Sequence, residues 1–462
     1  MPVKYKIIRS CIFLVLLFLS GCSAHFPINS PFGERSPATQ PVAQGLLQAP
    51  GYDRSDELLV ILAFSGGGMR ASAFSYGVLK TLSETRVQWQ GKSFNLLDEV
   101  DMISSVSGGS FTAAYYGLYG RKILEAYEDD FLKHNVEQAL LLRLINPLYW
   151  RKLGSIFYNR SELASDYYDE ILFKGATFAD LNSAPGPSIM INATDLTTGN
   201  SLVFHQEQFD WLCSDISSFP VSRAVAASSA VPGLFSVVTL HNYGDKCSKV
   251  PYWLESELWQ AHPGLAPLAA KIRSYKNSET YPYIHLIDGG LADNLGLRSV
   301  MERVALHGGA EQALEHFNLK DIRRILIISA NAAAAPNIDV KRSEEPPSTF
   351  YTVDAATTVQ INLYNRETIQ QFQKTVRKWQ DDISYARCGR QWCTEDVEFY
   401  YVDLSLSALT DEKERSHLQQ LPTTFVLPGA DVDRLINAAD TLLNQSEAFH
   451  RFVDNKRQAA SH

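Results

Sequence analysis

The chain has 462 residues, of which 45% are hydrophobic and 20% charged, and its formal net charge is −9. This is the composition of an ordinary globular protein, long enough for one large domain or two smaller ones. The acidic balance excludes nucleic-acid binding by bulk electrostatic attraction, so local motifs must indicate the function.

The first 22 residues have the features of a targeting segment rather than of a folded element. Three basic residues precede a short apolar run over residues 11–19, which is too short to span a bilayer comfortably. The run leads into Leu-Ser-Gly-Cys at residues 19–22, which resembles a bacterial lipobox. The resemblance implies cleavage before Cys22 and lipidation of its thiol, which would anchor the domain to a membrane. An uncleaved signal anchor and an ordinary secretory signal are the alternatives.

The residues after Cys22 predict a location and a tether. Ser23, rather than Asp, follows the lipidated position, as in bacterial lipoproteins that are sorted to the outer membrane. We therefore expect a lipid-anchored protein of the bacterial cell envelope, at the outer membrane. Residues 23–56 are rich in Pro, Ser, Gly and Ala and have little periodicity, which is typical of a flexible tether.

The cysteine count fits export. Beyond the two N-terminal cysteines there are four, an even number that indicates disulfides in an oxidising compartment. Three pairings are possible, and proximity in sequence favours Cys213–Cys247 and Cys388–Cys393. No histidine lies at ligand spacing near either pair, so we predict no metal site.

The first predicted strand leads into a glycine-rich turn. Residues 58–64 form a continuous apolar run, as in a buried parallel strand, and Ser-Gly-Gly-Gly-Met-Arg-Ala follows at residues 65–71. Such a turn before a helix presents N–H groups to an anion. It lacks the Gly-Lys-Ser/Thr of a P-loop. It fits Gly-x-Gly-x-x-Ala of dinucleotide-binding proteins, but residues 86–90 lack the acidic residue that this motif requires. An oxyanion-hole loop and a purely structural turn are the other interpretations.

A second strand and helix enclose a serine. Residues 100–103 are strand-like, Ser-Val-Ser-Gly-Gly follows at residues 105–109, and a helical pattern begins immediately afterwards. A strand, a tight turn with a serine at its tip and a helix are the context of a nucleophile elbow, which indicates Ser107 as a nucleophile. The helix start offers free N–H groups to a developing oxyanion. The alternative is a Ser/Gly loop that caps a helix.

The middle of the chain is less informative. Residues 119–178 are amphipathic and helical, and core packing explains their aromatic residues, with lipid contact at residues 148–150 as the alternative. Residues 188–195 predict another buried strand. Residues 243–283 form an irregular insertion, either a lid or a surface subdomain.

The last motif follows another predicted strand. Residues 283–287 lead into Asp288-Gly289-Gly290, and side-chain alternation places His285 on the opposite face from Asp288. Asp-Gly-Gly is also a common turn. With the strand-like residues 324–330, the alternation of strands and helices predicts an α/β layered fold with a largely parallel sheet.

Four blocks in this order resemble the motifs of bacterial patatin-like phospholipases, at residues 65–70, 105–109, 227–232 and 288–290. The resemblance implies a three-layer patatin-like fold, with helices flanking a largely parallel sheet, in a catalytic domain at residues 57–335. Residues 336–462 are not covered by these motifs. We expect them to pack on that domain as an extension, covering a sheet edge or shaping the acyl groove. Two departures are mild: Ser105 and Ala71 stand where the family usually or often has glycine.

The resemblance also implies the site residues. Ser107 would be the nucleophile and Asp288 the base of a Ser–Asp dyad, and Arg70 would hold the glycine-rich loop and add positive potential. The oxyanion hole would be formed by the N–H groups of Gly66, Gly67, Gly68 and Gly108. The pKa of an ordinary aspartate is about 3.9, so burial would have to raise it for Asp288 to act as a base near neutral pH. For Arg70, a surface salt bridge is the alternative.

The implied function is hydrolysis of lipid acyl esters, as a phospholipase A or lysophospholipase. The substrate would be a membrane lipid or phospholipid, with no cofactor, metal or nucleic acid involved. An acyltransferase or thioesterase using the same dyad is one alternative. A non-enzymatic lipid-binding lipoprotein is the other.

Overall fold

The computed structural model describes residues 29–32, 54–155, 158–247, 250–256, 260, 265–335, 344–389, 393 and 396–454. The predicted signal peptide, the lipidation of Cys22 and most of the predicted tether lie outside these residues. Within them, no helix combines the length and the hydropathy that a membrane span requires.

An eight-stranded sheet forms the middle layer of the described structure, in the order β12-β11-β2-β5-β6-β10-β9, and β7 pairs with β6. The strand pairs from β12 to β6 are parallel, whereas β7, β9 and β10 run antiparallel to their neighbours. Its strands are β2 (Leu58–Phe64), β5 (Val100–Val106), β6 (Ser188–Asp195), β7 (Ser201–Phe204), β9 (Val238–His241), β10 (Tyr283–Asp288), β11 (Arg324–Asn331) and β12 (Glu398–Ser405). Two small pairs lie outside it: β1 (Ser30–Pro31) with β8 (Ser214–Asp215), and β3 (Arg86–Trp89) with β4 (Lys92–Asn95).

Helices cover both faces of this sheet, which confirms the predicted fold class. They are α1 (Gly68–Glu84), α2 (Gly108–Tyr119), α3 (Ile123–Tyr127), α4 (Val136–Ile145), α5 (Pro147–Leu153), α6 (Arg160–Tyr168), α7 (Phe178–Ser183), α8 (Gln206–Phe209), α9 (Val221–Ser228), α10 (Tyr252–Glu255), α11 (Ala266–Lys276), α12 (Gly290–Asp293), α13 (Leu297–Leu306), α14 (Ala310–His316), α15 (Thr349–Cys388), α16 (Glu412–Gln420), α17 (Gly429–Gln445) and α18 (Glu447–Val453).

The alternation of side chains along β2 explains the three layers. Leu58, Val60, Leu62 and Phe64 belong to one apolar core, together with residues of α1, α2 and α17. Leu59 and Ala63 point to the other face and join a second core, with residues of α13, α14 and α15. Because both faces are buried, the strand is a continuous apolar run rather than an alternating one. The second core contains an apolar cavity of about 80 Å³.

The C-terminal region contributes a strand to this sheet instead of only packing on the catalytic domain. β12 pairs in parallel with β11 over eight residues, from Arg324 opposite Glu398 to Asn331 opposite Ser405. The α17 backbone also approaches α1 so closely that a Cβ at Gly77 would lie 2.7 Å from Ile436 O. The predicted domain boundary near residue 335 therefore does not separate two cores.

Four residues inside the predicted tether are packed on the domain. Ser30 and Pro31 pair with Asp215 and Ser214, and the Asn29 amide donates to Ser214 Oγ at 2.9 Å. For these four residues the prediction of a flexible tether is wrong, because β1 pairs with β8 and fixes the chain to the domain.

Both cysteine pairs that sequence proximity favours are joined in the structure. Cys213 and Cys247 form one disulfide, with their Cα atoms 5.8 Å apart. Cys388 and Cys393 form the other, with a Cα separation of 5.5 Å, at the end of α15. The first disulfide joins the end of the α8 segment to the insertion that the sequence placed at residues 243–283.

Candidate active site

The turn between β5 and α2 presents Ser107. The backbone of Ser107 has φ +48° and ψ −119°, a combination that a residue with a side chain rarely adopts. β5 ends at Val106 and α2 begins at Gly108, so the serine lies at the tip of a strand–turn–helix junction. Its side chain is buried, with 3% of its surface exposed. This is the local structure that the nucleophile-elbow prediction requires.

Glycines are required around this turn because the end of β2 and the glycine-rich loop lie directly against it. A Cβ at Gly108 would lie 2.0 Å from Gly68 O, and a Cβ at Gly109 would lie 2.7 Å from Phe64 Cβ. Ser105 is tolerated where the family usually has glycine. Its side chain is buried and its hydroxyl donates to Met190 O at 3.1 Å.

Asp288 reaches Ser107 from the opposite direction. β5 and β10 lie on either side of β6, with β5 parallel to β6 and β10 antiparallel to it. Val106 pairs with Asn192 and Asp288 pairs with Ala193, so both strands end at the same level of β6. Ser107 Oγ donates a hydrogen bond to Asp288 Oδ2 at 2.8 Å.

Three further hydrogen bonds fix the position of Asp288. Its other carboxylate oxygen accepts from Gly290 N at 2.8 Å, and its carbonyl accepts from Thr194 Oγ1 at 2.8 Å. Its N–H donates to Ala230 O at 3.0 Å. The carboxylate is therefore oriented before any substrate arrives.

Burial changes the acidity of this carboxylate. Removal from water raises the pKa of Asp288 to about 6, although hydrogen bonds from Gly290 and Ser107 favour the ionised form and limit the rise. At neutral pH the group remains mostly ionised, yet it is a stronger base than an exposed aspartate. It can accept the proton of the serine hydroxyl to which it is bonded. His285 is directed elsewhere, with Nδ1 3.0 Å from Thr239 Oγ1.

Ser228, at the end of α9, holds the backbone of Ser107. Its hydroxyl accepts from Ser107 N at 2.8 Å and donates to Asn192 O at 2.6 Å. The N–H of Ser107 is therefore already bonded and not free for a substrate oxygen. The sequence block at residues 227–232 contained Ser228, but its pattern did not reveal this role.

The glycine-rich loop requires one change to the predicted oxyanion hole. Gly66 N donates to Asn294 O at 2.9 Å, which removes Gly66 from the predicted set of donors. Its contribution is steric, because a Cβ at this position would lie 2.6 Å from Asn294 Oδ1 and 3.3 Å from Ser107 Cβ.

The remaining three glycines keep their N–H groups available. Within the described structure, the N–H groups of Gly67, Gly68 and Gly108 have no hydrogen-bond acceptor. Gly67 and Gly68 have φ values of +138° and +58°, which glycine adopts readily. α1 begins at Gly68 and α2 at Gly108, so the positive ends of two helix dipoles meet beside Ser107.

Arg70 lies beneath this loop and not on the surface, so the salt-bridge alternative is wrong. Its side chain is buried and donates to Ala332 O at 2.7 Å, to Leu421 O and to Thr423 Oγ1 at 3.3 Å. A Cβ on Gly67 would lie 3.2 Å from Arg70 Nη2, which shows how close the guanidinium is. Burial lowers the pKa of Arg70 to about 10, so it stays charged at neutral pH.

A short C-terminal segment packs against the glycine-rich loop and bonds its backbone. We call residues 421–425 the C-terminal strap. Met69 N donates to Thr424 O at 2.8 Å, and a Cβ at Gly68 would lie 2.4 Å from the same oxygen. Sequence reasoning missed this segment, because Leu-Pro-Thr-Thr-Phe contains no residue pattern of a catalytic motif.

The family model described as patatin-like phospholipase matches residues 62–301. These are 240 of the 462 residues, more than half of the chain. The chain therefore belongs to the patatin-like phospholipase family. No curated protein matches its sequence.

Solved structures give distant likenesses. Human GIVD cytosolic phospholipase A2 is 13% identical with a TM-score of 0.46, and the match covers 90% of this chain and 66% of that one. The same enzyme in complex with methyl gamma-linolenyl fluorophosphonate is 14% identical with a TM-score of 0.42, covering 90% and 63%. VipD from Legionella pneumophila is 12% identical with a TM-score of 0.26, covering 84% and 67%. The chain spans a little less than two thirds of the human phospholipase chains.

Proposed function

We propose that this member of the patatin-like phospholipase family is a serine hydrolase of lipid acyl esters, of the phospholipase A or lysophospholipase type. The observation that carries the proposal is the 2.8 Å hydrogen bond from Ser107 Oγ to Asp288 Oδ2, at a strained turn beside unbonded glycine N–H groups. Family membership supports a lipid substrate.

In the proposed reaction, Asp288 removes the hydroxyl proton as Ser107 Oγ attacks the ester carbonyl carbon. The carbonyl oxygen becomes an oxyanion, which accepts hydrogen bonds from the N–H groups of Gly67, Gly68 and Gly108. The proton then passes from Asp288 to the leaving alkoxide as the ester C–O bond breaks. Water hydrolyses the acyl-enzyme by the same steps, with Asp288 again as base.

Electrostatic stabilisation of the oxyanion would contribute most to the rate. A single oxyanion-hole donor is worth about 10²–10³ in rate. Here the donors belong to two helix N-termini, and the buried positive charge of Arg70 lies directly below the loop. These charges are fixed in place before the reaction, so no reorganisation is needed as the negative charge develops.

The proposed anchor brings the enzyme to its substrate. Lipidation of Cys22 would hold the domain at the outer membrane of the bacterial envelope, and the lipobox-like residues 19–22 support this. Incorporation of labelled palmitate into the full chain in a bacterial host tests it. The expected result is incorporation that disappears in Cys22→Ser.

The decisive experiment for the hydrolase is covalent labelling of the full chain with a fluorophosphonate probe, followed by peptide mapping. We expect labelling at Ser107 that disappears in Ser107→Ala and in Asp288→Asn. Asp293→Asn is a matched control. Asp293 is also buried and burial also raises its pKa to about 6, but it accepts from Arg298 N at 2.8 Å rather than from Ser107.

Two results would contradict the proposal. The first is a folded chain that no probe labels, with or without added detergent or lipid, which would favour a lipid-binding lipoprotein. The second is labelling at a different serine. Product analysis with lipid acceptors then separates hydrolysis from acyl transfer, since only transfer produces a newly acylated lipid.

A further inference from the structure

Exposed apolar side chains are concentrated at one place on the surface. We call residues 141–150, on α4 and α5, the apolar ridge. Six of its large hydrophobic side chains are exposed to solvent, by the following fractions of their surface: Leu141 57%, Leu142 55%, Leu144 37%, Ile145 59%, Leu148 84% and Trp150 58%. We propose that this ridge is a docking surface for a phospholipid bilayer, into which Leu148 and Trp150 insert. The choice of a lipid occupant rests on the proposed function.

The ridge is unusual in how many of its large apolar side chains are exposed to solvent. Fourteen large hydrophobic side chains are exposed among the described residues, and six of them lie in these ten positions. In α4, Val136 is the one fully buried residue, although leucine and isoleucine dominate its second half. A soluble protein rarely leaves such a patch open unless a partner or a membrane covers it.

The helix that carries the ridge contacts the segment beside the candidate site. Glu137 in the first turn of α4 accepts a hydrogen bond from Phe425 N at 2.8 Å, and Phe425 is the last residue of the C-terminal strap. The Phe425 ring lies 5.8 Å from that of Phe111, which is one helical turn after Ser107. The strap therefore joins the first turn of α4, which precedes the ridge, to the glycine-rich loop.

A second connection links the ridge side to the catalytic aspartate. The loop at residues 230–237 accepts the N–H of Asp288 at Ala230 O. Its other end is held by Asn159, which caps α6 and donates to Val237 O at 3.0 Å. Leu234 in the middle of this loop is 51% exposed, so the loop that bonds Asp288 also presents an apolar side chain to solvent.

The charges around the ridge indicate how docking would occur. Among the described side chains, three cations around it have partners: Lys133 is 2.9 Å from Asp433, Arg143 is 2.5 Å from Glu170 and Lys152 is 3.1 Å from Asp166. They are therefore poorly placed to bind anionic head groups. Burial of the apolar side chains would drive docking, and Trp150 suits the boundary between head groups and acyl chains. We expect zwitterionic vesicles to suffice and salt to have little effect.

The experiment uses the full chain carrying Ser107→Ala, so that no lipid is hydrolysed and the result does not depend on catalysis. Phosphatidylcholine vesicles containing a photoactivatable phosphatidylcholine are mixed with the protein and irradiated, and cross-linked peptides are mapped. Mapping separates the ridge from the apolar run at residues 11–19, which could bind vesicles by itself. We expect strong cross-links within residues 138–155.

A double variant, Leu148→Ser with Trp150→Ser, should lower the cross-link yield of this peptide about tenfold or more, since two large apolar side chains no longer leave water. Tyr385→Ser is the matched control. Tyr385 is 66% exposed, but it lies near Arg387. Arg387 donates to Ile322 O, just before β11 begins and therefore at the opposite end of the parallel strands from Ser107. The control should cross-link like the parent chain.

Three results would overturn the inference. One is cross-linking that avoids residues 138–155 in a folded chain. Another is cross-linking that requires anionic lipid and disappears in high salt. The third is a concentration-dependent dimer that the double variant abolishes, because the ridge would then bind a second copy. Failure of the hydrolase proposal would instead appear as absent labelling of Ser107 in the parent chain.

Discussion

The motif-bearing region (residues 58–330) and the C-terminal region (residues 396–454) contribute to the candidate site in different ways. The first contains both members of the proposed dyad and all three available glycine N–H groups. The second contributes no reacting atom, but its strap binds Met69 N and the Arg70 side chain directly beneath the oxyanion loop. Motifs thus identify the atoms proposed to react, whereas the geometry of those atoms depends on residues without any motif.

The contrast extends to the sheet. In the motif-bearing region, β2, β5 and β6 are almost entirely buried, and helices lie between them along the chain. The C-terminal region adds β12 at the edge, and buried Arg324 of β11 donates to Tyr400 Oη at 2.6 Å and to Phe452 O at 2.8 Å. We therefore treat the two regions as one folding unit, and the following experiments test that dependence.

The largest effect is expected from a truncation after Ile383. It removes β12, the strap and α17, and so exposes the edge of β11 and the apolar face of α1. Thermal unfolding should show no cooperative transition. A truncated chain that retains a cooperative transition and fluorophosphonate labelling would show that the motif-bearing region folds independently.

The next largest effect is expected from Arg70→Met. This change removes the side-chain hydrogen bonds by which Arg70 joins the motif-bearing region to the strap. The carbonyls of Leu421 and Ala332 lose a charged donor, and the oxyanion loop loses the charge beneath it. We expect kcat for a soluble ester to fall about 10–100-fold and the free energy of unfolding to fall by about 1–3 kcal/mol. Arg70→Lys, which keeps the charge, should recover part of kcat. An unchanged kcat in Arg70→Met would make the strap irrelevant to catalysis.

Lowering the pH from 7 to 5 should reduce activity by protonating Asp288. Burial raises the pKa of Asp288 to about 6, and the base must be ionised, so activity should fall about tenfold per pH unit below that value. A carboxyl whose pKa is raised by folding destabilises the folded state as pH rises through that range, not as it falls. Activity that is lost at pH 5 should therefore be regained on return to pH 7. Protonation of Asp288 should not lower the unfolding temperature. A profile that stays flat from pH 7 to pH 5 would exclude Asp288 as the base.

The smallest effect is expected from Glu137→Gln, at the contact between α4 and the strap. Glutamine keeps an oxygen that can accept from Phe425 N, but without the full charge. Stability should fall by about 1 kcal/mol or less, and kcat should change less than about threefold. A larger loss of kcat than in Arg70→Met would reverse the order of importance that the hydrogen bonds suggest.

Much of the central sheet could be predicted because buried strands are continuous apolar runs. The predicted strands at residues 58–64 and 188–195 match β2 and β6, and the run at residues 100–103 is the first half of β5. The pairing of Ser107 with Asp288 was also predicted, since both residues follow such runs and belong to motifs. Hydrophobic pattern and local motif are enough for these elements.

The rest depended on contacts between distant residues, which a linear pattern does not encode. Nothing in residues 283–287 shows that β10 runs antiparallel to β6, although this direction brings Asp288 to Ser107. The bond from Gly66 N to Asn294 O, which changes the oxyanion hole, joins two loops whose meeting depends on the whole sheet. The strap contains ordinary residues whose role comes only from where the fold places them.

The strap also has a consequence for the order of folding. The bond from Arg70 to Leu421 O joins residues 351 positions apart, and the bond to Ala332 O spans 262. Such long-range contacts form late, because the chain must first close large loops. We expect refolding chains to regain their helices before Ser107 reacts with a fluorophosphonate. Circular dichroism measures the first event and covalent labelling measures the second. An enzyme that attacks lipids would then become reactive only once nearly the whole chain is folded.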